Sequence, residues 1–388
     1  MSILGEIVRI QNNISNAYDT VSIMGGIVPA FPNSENLASA ISTIPSGRSP
    51  QGTIQISANG LHDVASYSSA NVNVSIPIVA NKIVDGTISS FAHNGIYIIG
   101  SYAFASCSAL SFVSCFACTT ISRSAFYRCV KLKEVNIPNC SIVGDNAFFA
   151  CSILSIINTP KCEYIGAGAF NNCLSLISAD YSLCTDIGQN AFQSCTRLTT
   201  ASFPLCQSIR QSTFAGCKVL SNISFPECEY IGEYAFQSCS GLTSVNFPKC
   251  TVVGWSAFNS CASLISVSFP LCQTIVKNAF TRCTRLLSAN FPECMSIEGT
   301  AFYLCSSLST IDFPKCEYIG PYAFANCTNL SIIRIGTSNC SIYDSEVFDA
   351  TGIGSNKGSI FVPAEYVNNY KTSTGWSYFS NRIFAMEI

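Results

Sequence analysis

A chain of 388 residues with a formal net charge of -2 and only 11% charged side chains offers no basic stripe for nucleic acid and no polybasic segment for anionic lipid. Hydrophobic residues make up 48% of it, yet no run approaches the roughly 18 apolar residues that span a bilayer. Their recurrence at fixed register implies burial instead.

Residues 1–47 are expected to be helical. Ile3, Ile7, Ile10, Ile14, Ala17 and Val21 fall at steps of three and four, one apolar stripe on a helix. Gly25-Gly26 ends it, and Asn33-Ser34 can cap a short second helix through Leu37 and Ile41. Two helices packed on each other satisfy the pattern. So does a self-association seam over residues 3–21, where isoleucine at both seam positions favours trimers. Glu6, Arg9 and Asp19 interrupt the apolar pattern, and the segment lacks the charged head and continuous apolar core of a secretory signal.

Residues 48–80 are expected to form a linker and a β-hairpin. Thr53–Ile56 and Val72–Ile76 alternate with period two, and Asn59-Gly60 is a strong turn dipeptide. Residues 81–98 look like an irregular first turn that caps the array behind it.

From Cys107 to Cys327, 21 cysteines stand at an unbroken spacing of eleven residues, and two contexts alternate, so the repeat is 22 residues. A fixed period in this range is the signature of a solenoid. The leucine column Leu110 to Leu330 and the phenylalanine column Phe104 to Phe324 are complete. Alanine precedes that phenylalanine in every turn except at Thr213, and proline holds its column from Pro138 to Pro314 except at Ser182. In L-x-x-V-x-F-P the apolar residues point inward and the strand stops at proline, which donates no ladder bond. A second short extended piece follows at C-x-x-I. In G-x-x-A-F-x-x-C, small alanine beside bulky phenylalanine suits a tight helical turn across the coil's edge. Eleven leucine-marked turns at the strand spacing of roughly 4.8 Å would give a rod or gentle arc about 50 Å long. The expected fold is a leucine-rich-repeat solenoid over residues 81–342, closed by a C-terminal cap at 343–388.

The pattern I-G-x-x-A-F-x-x-C-x-x-L-x-x-V-x-F-P resembles the BspA-type leucine-rich repeat of bacterial surface proteins and some protists, over residues 99–342 and, with the tail, to 388. The ending G-S-I-F-V-P-A-E-Y-V-N-N-Y, with Trp376 and Ile383-Phe384, resembles the strand-helix-strand cap of such arrays. The resemblance implies a non-enzymatic binding or adhesion protein, extracellular or at the cell surface, that recognises a host or bacterial surface protein or a glycan. The front is similar to leading segments of phage and prophage tail-associated proteins of gut Firmicutes. That second likeness implies the alternative of a tail-associated structural or receptor-binding protein in a virion.

Candidate chemistry is sparse. A disulfide framework fits poorly, because the 23 cysteines are odd in number and column neighbours run parallel, against the torsion near 90° that a disulfide needs. Zinc needs paired C-x-x-C units or histidines at ligand spacing, and Cys115 with Cys118 is the sole such pair. The thiols are expected to be small, buried core fillers. His62, expected in the hairpin loop beside Asp63, and His93, ahead of the array, share no segment with a nucleophile or a second ligand. No catalytic residue, metal site or cofactor is expected. The candidate ligand-binding surface is the outward column between the last two inward strand positions. After Ser114 it runs Asn136, Asn158, Asp180, Ser202, Ser224, Asn246, Ser268, Asn290, Asp312 and Arg334. Its neighbours are mixed, with Thr199, Thr243 and Ser244 beside Ile156, Ile265 and Leu287. It serves either as a recognition strip for a protein or glycan, or as solvated strand positions kept small against crowding.

Overall fold

The structure is a computed structural model that describes residues 55–56, 62–63 and 88–386. The expected helices of residues 1–47, their self-association stripe and most of the front that resembles tail proteins lie outside the described residues. The two-residue strands Gln55–Ile56 and His62–Asp63 pair antiparallel. His62 therefore stands in a strand and not in a loop, and Val72–Ile76, expected as the second strand, lies outside the described residues.

The chain divides into two compact units, the first ending at Leu176 and the second beginning at Ile177. Both are β-solenoid. In the first unit, the strands Ser90–Ala92, Phe112–Ser114, Glu134–Asn136 and Ile156–Asn158 form one parallel four-stranded sheet. Two-residue strands from Ile98–Ile99 to Tyr164–Ile165 form a second parallel stack. The second unit repeats this plan. Long strands begin with the three-stranded sheet from Ser178–Asp180 to Asn222–Ser224. They continue in a seven-stranded sheet from Ser244–Asn246 through Ser359–Val362 to Ile383–Ala385. Short strands run from Ser208–Ile209 to Ser341–Ile342. Long strands at Ser90–Ala92 and Ser359–Val362 add a turn beyond the leucine column at each end, making thirteen.

The sequence columns lie in the core as expected, save that the central strand residues Ile157, Ile223 and Ala289 are half-buried. The turn from 231 to 252 buries Ile231, Ala235, Phe236, Cys239, Leu242, Val245, Phe247 and Cys250. Pro248 follows the strand Ser244–Asn246 and sits second in a β-turn that the Cys250 amide closes on the Phe247 carbonyl, the place where its fixed φ is pre-set. Thr213, the exception in the alanine column, is fully buried and donates to the Arg210 carbonyl at 2.8 Å.

The corners differ from expectation. G-x-x-A-F-x-x-C is not helical; it is a run of overlapping β-turns. Ala235, Gln237 and Cys239 bond back to Gly232, Tyr234 and Phe236 within the turn, while Tyr234, Phe236 and Ser238 bond forward to Trp255, Ala257 and Asn259 of the next. Tyr234 (φ 56°) and Ser238 (φ 59°) are left-handed, and two such residues in five forbid a right-handed helix. Glycine opens the corner where turns approach closely: a Cβ on Gly254 would lie 2.6 Å from the Ile231 carbonyl oxygen.

Aromatic rings stack along the core. In the first unit Phe104, Phe126, Phe148 and Phe170 follow one another at 5.1–5.3 Å and within 7° of parallel. In the second, a column from Phe192 to Phe324 meets a second column from Tyr181 to Phe313 at steep angles, from tilted, as in Phe236 against Phe247 at 6.1 Å and 53°, to edge-on, as in Phe258 against Phe269 at 5.9 Å and 66°. The parallel stacks along the columns and the edge-on contacts among those between them are arrangements the ring quadrupole favours. The corresponding second column of the first unit is Cys115, Ile137 and Thr159, all buried. The Thr159 hydroxyl has no hydrogen-bond partner. Thr159→Val keeps the shape and removes this desolvated group, so it should stabilise the protein by about 1–2 kcal/mol in denaturant melts. Loss of stability would show that the hydroxyl is satisfied in solution.

Candidate binding surface

The strand alternation turns two residues of every long strand away from the core. The third strand position carries the column singled out by sequence. In the first unit it comprises Ser114, Asn136 and Asn158, in direct register with one another. Ser114 is buried at 8% exposure, Asn136 is half-buried and Asn158 is exposed. The Asn158 amide donates to the Asn136 amide oxygen at 2.8 Å, 22 residues apart.

In the second unit the pairing brings together Asp180, Ser202 and Ser224, and then Asn246, Ser268, Asn290, Asp312 and Arg334. Ser202, Ser268 and Arg334 are half-buried and the others exposed. Asn290 donates to the Ser268 hydroxyl at 3.4 Å, and Arg334 pairs with Asp312 at 3.0 Å. The column next to it, at the first strand position, is also polar and small: Ser178, Thr200, Asn222, Ser244, Ser266, Ser288 and Thr310. Thr200 donates to Asp180 at 3.2 Å. The outward face is thus a ribbon two side chains wide, with charge confined to Asp180, Asp312 and Arg334. In the first unit the neighbouring column is Phe112, Glu134 and Ile156, with Ile156 half exposed at 51%.

Hydroxyls just before the strands have a different task. Ser111, Ser155, Thr199, Ser221 and Ser331 each donate to a backbone carbonyl 22 residues earlier. They stitch turn to turn and are not spare groups for a ligand.

Two features escaped the sequence. The column does not end at Arg334: Phe361 and then Phe384 continue it in register. The Arg334 guanidinium lies over the Phe361 ring, 5.7 Å from its centre, and Phe361 lies 6.1 Å from Phe384, which is 43% exposed. The ribbon therefore ends in a cation and two aromatic rings, the anchor types that carry binding energy in interfaces. The alternation in S-I-F-V was the available signal. Second, the outer face of the short-strand sheets carries Tyr164 in the first unit and Tyr230 and Tyr318 in the second, each more than a third exposed. The recurring C-E-Y-I-G marked them.

The cysteines are core groups, as expected: all 23 are buried thiols. In the corner column the sulfur donates to a phenylalanine carbonyl 25 residues earlier, as Cys239 does to Phe214 at 3.1 Å. In the other column Cys250 donates two residues ahead, to Val252 at 3.2 Å, while Cys206 donates to the Cys184 carbonyl of the previous turn at 3.2 Å. Burial makes Cys217 and Cys261 weaker acids, pushing their thiol pKa up to about 12. His93 is half-buried, accepts from the Gly95 amide through Nδ1 at 3.0 Å, and has its pKa lowered by burial. Among the described residues no three metal-ligating side chains converge, and no helix is long and apolar enough to cross a membrane.

Residues 84–199, 177–283 and 251–359 match the family model described as BspA type leucine rich repeat region, in six copies. No curated protein matches the chain significantly. Among solved structures, a leucine-rich repeat protein from Bacteroides ovatus is similar at 20% identity and a TM-score of 0.52, over 77% of this chain and 84% of that one. A leucine rich cell surface protein from Faecalibacterium prausnitzii is similar at 22% identity and a TM-score of 0.41, over 78% and 88%. At this identity the first likeness bears on fold alone.

Proposed function

Because the chain belongs to the BspA-type leucine-rich repeat family, we propose that it is a non-enzymatic binding protein of the bacterial cell-surface type, presenting its long-strand ribbon to a protein or glycan partner. The observation that carries this is the second unit's outward face. From Ser178 to Asp312 two adjacent columns hold only serine, threonine, asparagine and aspartate. Such a face suits a ligand that is itself extended and rich in hydrogen-bonding groups, and solenoids characteristically bind along an extended face. The Arg334–Phe361–Phe384 end supplies what the small column lacks, an apolar and cationic anchor. The internal bonds of Asn158 to Asn136 and Asn290 to Ser268 hold these side chains in place, so less freedom is lost on binding.

The test is a printed array of glycans and host surface proteins, probed with the full chain and with the double variant Asn246→Arg, Ser268→Arg. The wild type should capture at least one class, and the variant should lose about tenfold or more, the scale of ~1.4 kcal/mol. Its circular dichroism should match the wild type, since both positions lie on the outward face of their strands, away from the core. A blank array, or capture unchanged by the variant, would remove the ribbon from consideration.

A further inference from the structure

Cys340 follows the end of the ladder, thirteen residues after Cys327 where every step within the ladder is eleven. The pairing shows why this matters. Elsewhere the short strands pair at an offset of 22, as Tyr230 does with Val252 and Ser296 with Tyr318. At the last pair the partners are Tyr318 with Ser341 and Ile319 with Ile342, an offset one residue longer. Cys340 therefore stands out of register with Cys316 and not directly above it. In-register column neighbours carry parallel side chains, which opposes the torsion near 90° of a disulfide; a one-residue stagger lifts that restriction. The two sulfurs are 3.7 Å apart, with Cys340 donating to Cys316.

A second observation bears on access. Cys340 lines a polar cavity of about 330 Å³ together with Ser338, Asn339, Asn369, Tyr370 and Ser373. Ser338, Asn339 and Asn369 are exposed, so the cavity opens to solvent. The Cys340 backbone is held on both sides: its amide donates to the Tyr370 hydroxyl at 2.9 Å and its carbonyl accepts from the Trp376 indole at 2.6 Å.

We propose that Cys340 and Cys316 form a thiol–disulfide exchange site, open to a small-molecule disulfide of the oxidised glutathione class through the cavity at the cap. The Cys340 thiol gives its proton to solvent and its sulfur attacks one sulfur of the small disulfide. That S–S bond breaks, one small thiolate departs with the electron pair, and a mixed disulfide remains on Cys340. The Cys316 sulfur, losing its own proton, then attacks the Cys340 sulfur and expels the second small thiolate. Two protein thiols are oxidised and one small disulfide is reduced to two thiols. The product bond adds a covalent tie between the last regular turn and the cap, an end otherwise held by packing and by the hydrogen bonds of the continuing sheets. The site does not depend on what the ribbon binds.

The test incubates the folded full chain with oxidised glutathione and analyses it by intact mass and by fragmentation after acid quench. The expected product has one disulfide per chain, assigned to Cys316 and Cys340 and not to Cys327, which shares a tryptic peptide with Cys316. In Cys316→Ser the reaction should stop at one glutathione adduct on Cys340, and in Cys340→Ser neither product should form. Circular dichroism of both variants keeps a folding failure distinct from a chemical one. Persistently reduced native protein, a bond between other cysteines, or a Cys316→Ser variant that folds and takes no adduct would overturn the assignment.

Discussion

Raising the pH through the range from 9 to 12 should unfold the protein cooperatively, with a midpoint between about pH 10 and 11. The cause is the buried thiol ladder. Burial pushes the pKa values of Cys115, Cys217, Cys228, Cys261 and Cys272 from an ordinary 9.0 up to about 12, and raises those of Cys239, Cys283 and Cys305 as well. Below pH 9 these thiols are protonated in both the folded and the unfolded chain, and their contribution to stability is fully present. Between 9 and 12 the unfolded chain releases protons that the folded chain keeps, so stability falls as pH rises. Each such thiol contributes about 1.4 kcal/mol per pH unit, so the five named first give roughly 7 kcal/mol per unit. That is comparable to the whole stability of an ordinary domain, about 5–15 kcal/mol. Circular dichroism and thiolate ultraviolet absorbance, followed together during alkaline titration, should change in one step. Thiolate appearing near pH 9 while the β signal persists would show that the sulfurs are not buried as described.

Phe258→Ala should cost about 3–5 kcal/mol. The ring is fully buried between Phe236 at 5.1 Å and Phe280 at 5.3 Å, and meets Phe247 and Phe269 of the second column. No neighbour can collapse into the gap, because each is itself held in a stack. In an array where each turn touches only its neighbours, the weakened interface also divides the cooperative unit. Thermal unfolding should therefore resolve into two steps, and limited proteolysis should cut near the substituted turn. Phe258→Leu should recover about half of the loss. A shift below about 1 kcal/mol would mean that the stacked column is not what holds successive turns together.

The columns were legible in the sequence because a parallel solenoid turns a period in sequence into a stack in space. Leu242, Phe236 and Cys239 recur every 22 residues, and each is buried. The corner conformation was not legible. Its left-handed positions are filled by Ser, Asn, Tyr, Arg, Ala, Thr and Leu, with glycine at Gly168 and Gly216 alone, so the residue that advertises positive φ is mostly missing. The end of the binding column was hidden for another reason. Arg334 pairs with Phe361 at a distance of 27 residues, because the cap breaks the period while the sheet continues. The polar column itself could be placed outward from alternation alone. The exposure of its members, and the spending of nearby hydroxyls on carbonyls of the previous turn, required coordinates.

The corner hydrogen bonds have a consequence for heredity. Every second amide of a corner is closed by the following turn and the others by the turn itself, as at residues 234–239. Each turn therefore offers the same donors on one side and the same acceptors on the other, and any turn can follow any other. A gene of this kind can slip by one whole repeat during replication, and the product still closes all its backbone bonds, whereas slippage by a fraction of a repeat misaligns every ladder downstream. Chain length can therefore change without damage only in whole-repeat steps, each of which would lengthen or shorten the ribbon by one turn.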